Sequence, residues 1–150
     1  MCSVFEALYA LVSGGVRYAI FKGDDGLISS WVGAPGVSFH LNAPSLDPHY
    51  AAADACIVPI RYGGGTSIKT IEAMARGRPV LATPVGMRGL GAVDGRDHLC
   101  FADAQGFTAA CARLRDEPGL AERLVAAGHR LWEERFSQAA VDRIVAGLVG

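Results

Sequence analysis

One hundred and fifty residues, 51% hydrophobic and 19% charged with a net charge of −1, describe a single domain able to bury a core. That balance excludes an intrinsically disordered chain and leaves no basic surface of the kind that binds nucleic acid or an anionic membrane. Cys2, Cys56, Cys100 and Cys111 stand too far apart for a zinc-binding pair, and no uncharged run reaches membrane-spanning length, so a reduced, cytoplasmic domain without a transmembrane segment is expected.

In chain order, Phe5, Leu8, Tyr9 and Val12 predict a helix that stops at Gly14 and Gly15. Residues 18–21 are apolar and predict a strand, ended by the turn formers of residues 22–26, and Val37, Phe39 and Leu41 alternate as a half-buried strand does. Asp24 and Asp25, flanked by glycines, read as a turn rather than as an acid/base or metal pair. Residues 55–60, 79–83 and, more weakly, 98–101 are short apolar runs that suit parallel strands covered on both faces. Phe107, Ala110, Cys111 and Leu114 fall on one helical stripe, and Leu120, Leu124, Ala127 and Leu131 form the next, with Pro118 expected in that helix's first turn. Ser137 is the expected N-cap of a last helix carrying Val141, Ile144, Val145 and Leu148. This alternation predicts an α/β fold, a Rossmann-like doubly wound parallel sheet with a helical C-terminal third, whose ligands sit beyond the carboxyl ends of the strands. Because the chain opens with a helix, the sheet is expected to lack its first strand, as in a fragment of a longer protein.

The densest chemical signal is Ile60-Arg-Tyr-Gly-Gly-Gly-Thr-Ser-Ile-Lys-Thr-Ile-Glu-Ala-Met-Ala-Arg-Gly-Arg-Pro-Val80. It reads as strand, glycine loop, helix, glycine stop and next strand. Gly63, Gly64 and Gly65 let a ligand approach the backbone, and the helix start behind them offers unpaired N–H groups and about half a positive charge to a phosphate. Thr66 is the expected N-cap, and Ile68, Ile71 and Ala75 are expected to face the core. Lys69 and Glu72, three residues apart, lie about 60° apart around the helix. An ammonium beside a carboxylate there suits a nucleoside diphosphate, Lys69 neutralising phosphate and Glu72 accepting from ribose hydroxyls. An ordinary i,i+3 surface ion pair is the competing reading, and the spacing leaves both open. The run is not a Walker P-loop, because Ile68 stands where glycine must precede the lysine, and no dinucleotide-binding glycine fingerprint follows the first strand.

The stretch from Gly63 to Thr83, followed by Gly86-Met-Arg-Gly-Leu90, closely resembles the group 1 glycosyltransferases, which use nucleotide sugars and pair two Rossmann-like domains in the GT-B architecture. Supporting stretches are residues 47–54, ahead of a strand that runs into Pro59, and residues 134–137 before the last helix. The resemblance implies that residues 1–150 form one donor-binding domain of a two-domain protein whose N-terminal acceptor domain is missing. It further implies that a UDP- or GDP-linked sugar is the donor substrate, without a separate cofactor, and that the anomeric configuration is retained; the scattered histidines offer no ligand spacing for a metal. The acceptor is not identified. Carried over by position, Glu72 binds the donor ribose, Lys69 the diphosphate, and the loop Gly63, Gly64, Gly65 and Thr66 cradles diphosphate and sugar. Lys69 and Glu72 are thereby the catalytic candidates, and the chain without an acceptor domain is expected to be inactive. Two positions depart from the pattern: Gly64 replaces a second glutamate eight residues before Glu72, and Gln138 stands where an aromatic residue is common.

Twelve of the fourteen basic residues are arginine, so the two lysines, Lys22 and Lys69, draw notice. Lys22, at another strand's carboxyl end, is a second phosphate candidate. Arg88 lies in the glycine-rich loop of residues 86–95, where a solvated arginine is the simpler reading than a donor contact. His40, His49, His98 and His129 are scattered, and Trp31 and Trp132 read as packing residues. A non-catalytic Rossmann-like module that binds a nucleotide or a partner remains the alternative to the enzyme.

Overall fold

The computed structural model describes residues 18–20, 44–63 and 65–149. Within them the elements run β1 (Tyr18–Ile20), α1 (Asp47–Ala52), β2 (Ala55–Val58), α2 (Ile68–Ala75), β3 (Val80–Ala82), β4 (Leu99–Cys100), α3 (Ala104–Asp116), α4 (Leu120–Arg135) and α5 (Gln138–Val149). The expected first helix, the strand at residues 37–41, the Asp24-Asp25 turn, Cys2, Lys22, Trp31, His40 and Gly64 lie outside the described residues.

The four strands pair in the order β1-β2-β3-β4, and every pairing is parallel. Cys56 stands beside Val80, and Ile57 beside Leu81, which stands beside Leu99 in turn. Side chains alternate across a pleated sheet, so this register sorts the strand residues onto two faces. Ala55, Ile57, Leu81 and Leu99 pack on one side with Phe101, Phe107, Ala110, Cys111, Leu120 and Leu124, under α3 and α4. Cys56, Val58, Val80 and Ala82 pack on the other with Tyr50, Ala73, Met74 and Leu131, against α1 and α2. Two cores sharing one sheet explain why the strands are apolar throughout rather than alternating.

Helix ends follow local chemistry. Asp103 caps α3, its Oδ1 accepting from the Gly106 N–H at 2.7 Å, and Ser137 Oγ accepts from the Ala140 N–H at 3.2 Å at the start of α5. Before α4, Gly119 adopts a left-handed conformation (φ 72°), so Pro118 belongs to the preceding turn and not to the first turn of the helix. Val141, Ile144, Val145 and Leu148 of α5 are exposed. No helix among the described residues is long and apolar enough to cross a membrane.

Two titratable groups, Asp97 and His98, are buried in the turn before β4. His98 is 3% exposed, and burial holds its pKa below the ordinary 6.5 although the Asp94 and Asp97 carboxylates pull the other way. A histidine with a lowered folded pKa favours the fold fully above its unfolded pKa and withdraws that contribution as pH falls towards the folded one. The melting temperature should therefore decline as pH drops below about 6.5, and His98→Gln should flatten that part of a pH series of thermal melts.

Candidate functional site

The chain leaves the carboxyl end of β2 through Pro59 and Ile60 and turns at the glycine loop into α2. Ser67, not Thr66, is the N-cap: its Oγ accepts from the Thr70 N–H at 3.4 Å and its carbonyl from the Thr70 and Ile71 N–H groups. Thr66 stands one residue further out, exposed, with Gly63 and Gly65. A Cβ built on Gly65 would meet nothing within 4 Å, so among the described residues nothing crowds the glycine loop at the amino end of α2.

The core-facing side of α2 is only partly the expected one: Ile71 packs against the core and Ala75 is half-buried, but Ile68 is not buried. Thr70, Ala73 and Met74 are buried, Ile71 is only partly so, and Ile68 is 72% exposed. The helix is turned because Thr70 has a polar partner inside: its Oγ1 donates to the Gly86 carbonyl at 2.8 Å. That bond fastens α2 to the loop that follows β3. The same loop is held from the other side by Thr83, whose hydroxyl donates to the Ile60 carbonyl while accepting from the Gly86 N–H at 3.2 Å. Further along it, Arg88 Nη1 donates to the Gly63 carbonyl at 3.1 Å, and Gly89 (φ 78°) lies so close that a Cβ there would come within 3.0 Å of Thr66 Oγ1. The loops after β2 and β3 thus form one continuous surface at the carboxyl edge of the sheet. Arg88, exposed as expected of a loop arginine, is one of the ties.

Lys69 and Glu72 lie three residues apart on α2. Both are half-buried, on one side of the helix, with Lys69 in the first turn beside the glycine loop. Glu72 Oε1 accepts from Arg76 Nη1 at 3.3 Å, a pairing outside the sequence reading. Arg76 reaches Asp47 Oδ1 as well, at 3.2 Å, and its guanidinium lies 4.5 Å from the centre of the Tyr50 ring. Burial raises the Tyr50 phenol far above its ordinary pKa, with the neighbouring Cys56 and Glu72 adding to the effect, so that it stays protonated. Burial likewise pushes the Cys56 thiol up to about 12, which keeps it a packing group and not a nucleophile. Among the described residues no three His, Cys, Asp or Glu side chains gather as a metal site would require.

A parallel sheet with helices on both faces and an open glycine loop at its carboxyl edge defines a Rossmann-like domain, with the loop where such domains bind ligands. The chain belongs to the group 1 glycosyl transferases, whose family model matches residues 10–117. It is 33% identical over 109 residues to a D-inositol 3-phosphate glycosyltransferase of Thermomonospora curvata, an alignment covering 71% of this chain and 25% of that protein. Among solved structures, sucrose-phosphate synthase from Thermosynechococcus elongatus superposes with a TM-score of 0.73 at 23% identity, over 98% of this chain and 41% of that one. The C-terminal domain of a group 1 glycosyl transferase from Francisella tularensis superposes with a TM-score of 0.59 at 19% identity, over 68% and 53%. The chain therefore spans about a quarter of its curated relative.

Proposed function

We propose that this chain forms the donor site of a glycosyl transferase, binding a UDP- or GDP-linked sugar for transfer, with retention, to an acceptor held by another domain. The observation that carries the reading is the uncrowded glycine loop at the amino end of α2, with Lys69 and Glu72 on one side of the helix. In this reading Lys69 and the first-turn N–H groups stabilise the diphosphate as it leaves. Electrostatic groups fixed before reaction do this without reorganising. Glu72 accepts from the ribose hydroxyls, and Gly63, Gly64, Gly65 and Thr66 line the path of the diphosphate and sugar. Lys22 is a further phosphate contact in the same reading. Without an acceptor domain the chain binds nucleotide but does not turn it over.

Calorimetric titration with UDP and GDP tests this. Micromolar affinity is expected for one of them, falling about 10- to 100-fold in Lys69→Ala and in Glu72→Ala, the weight of a charge-assisted hydrogen bond. Absence of binding by any nucleoside diphosphate would overturn it. That result would favour a non-catalytic interaction module, a reading supported by Gly64 standing where the family carries a glutamate.

A further inference from the structure

We propose that Arg76 is a positioning residue of the donor site, acting through Glu72 and touching no substrate itself. The proposal rests on the reading of Glu72 as the acceptor for ribose hydroxyls.

A glutamate on a helix surface has three rotatable bonds, and holding it still for a ligand costs rotamer entropy. Here that entropy is lost before the ligand arrives. The Arg76 N–H donates to the Glu72 carbonyl at 3.0 Å, closing the last turn of α2, and its Nη1 donates to Glu72 Oε1 at 3.3 Å. The guanidinium has little freedom of its own. Its Nε and Nη2 both lie 3.2 Å from Asp47 Oδ1, at the start of α1, and its plane rests against the buried Tyr50 ring. Arg76 and Glu72 side chains are 32% and 37% exposed, less open to screening than a surface pair. A carboxylate offers about four acceptor positions. The single bond from Arg76 leaves capacity on Glu72 for the two hydroxyls of a ribose. The planar fork matters, because three of its nitrogens serve two carboxylates at once, and a lysine ammonium cannot reproduce that arrangement.

The test compares a nucleoside diphosphate with its 2′-deoxy and 3′-deoxy forms, using UDP or GDP, whichever the wild-type chain binds. Wild type should prefer the ribose form by about 10-fold, the weight of a hydrogen bond to a charged group, and Glu72→Ala should erase the preference. Arg76→Ala should cut the preference to about 3-fold or less while leaving the dependence on the diphosphate, which Lys69 governs, unchanged. Arg76→Lys should restore it only in part. Thermal melts establish that each variant is folded, and Asp47→Ala, which removes the anchor at an exposed position, gives a second route if Arg76→Ala does not fold. Full ribose preference in Arg76→Ala or Asp47→Ala, with loss in Glu72→Ala, overturns the role of Arg76 and leaves the donor site standing. No ribose preference in wild type, or no binding at all, overturns both.

Discussion

Phe107→Ala should destabilise the fold by about 3–5 kcal/mol, enough to unfold a domain of ordinary stability or nearly so. Phe107 has no exposed surface, and its ring meets that of Phe101 edge-on, with centroids 5.0 Å apart and planes at 62°. It lies on the buried face of α3, in the core that also holds Ile57, Leu81, Leu99 and Leu124. Alanine removes the whole ring, and the cavity it leaves cannot close, because strands on one side and α4 on the other fix its walls. Phe107→Leu keeps most of the volume and should cost roughly 1–2 kcal/mol. Denaturant titrations of both variants measure this. A loss under about 1 kcal/mol for the alanine variant would mean that this face of the sheet is not sealed as described.

Gly86→Val should cost about 2–4 kcal/mol and lower nucleoside diphosphate affinity about 10-fold. A Cβ on Gly86 would lie 3.0 Å from the Val58 carbonyl oxygen, 3.1 Å from Val58 Cγ1 and 3.4 Å from the Thr83 carbonyl oxygen. Val58 is the last residue of an inner strand, paired with Ala82, and its carbonyl accepts from the Thr83 N–H. The strand cannot give way, so the loop must. Its displacement breaks the buried Thr70 bond to the Gly86 carbonyl and draws Arg88 away from Gly63, spoiling the surface against which a diphosphate would rest. Gly147→Ala, on the exposed side of α5 with nothing within 4 Å of the new methyl, should instead be neutral or stabilising by up to about 1 kcal/mol. Equal effects at the two glycines would refute the packing argument.

Strand and helix positions were legible where apolar residues recur at a fixed period. The runs that became β2 and β3, and the stripes of α3 and α4, announce themselves because burial there is carried by hydrocarbon alone. The rotation of α2 was not legible, since periodicity counts Ile68 as core and gives no signal for burying a polar Thr70. In the structure a hydroxyl that finds the Gly86 carbonyl is buried at little cost, and Ile68, at the first turn of the helix, is exposed. The N-cap was placed one residue early for a related reason, since Thr66 and Ser67 are chemically equivalent candidates. Lys69 and Glu72 could be paired from spacing because both lie on one helix. Their neighbour Arg76 had a local signal as well, an i,i+4 pairing with Glu72. Its anchoring by Asp47 and Tyr50, some 26 to 29 positions away, exists only once α1 is packed beside α2.

The longest helix among the described residues, α4, belongs to neither side of the sheet alone. Leu120 and Leu124 enter one apolar layer, Leu131 enters the other, and between them Gly128 lets the helix pass close to Met74. At its far end Arg135 Nη1 donates to the Leu90 carbonyl at 2.8 Å, midway along the loop after β3. The two layers consequently cannot melt one after the other: peeling α4 from either uncovers both, so disruption beneath α3 is transmitted to the rim at the carboxyl edge of the sheet as a single cooperative event.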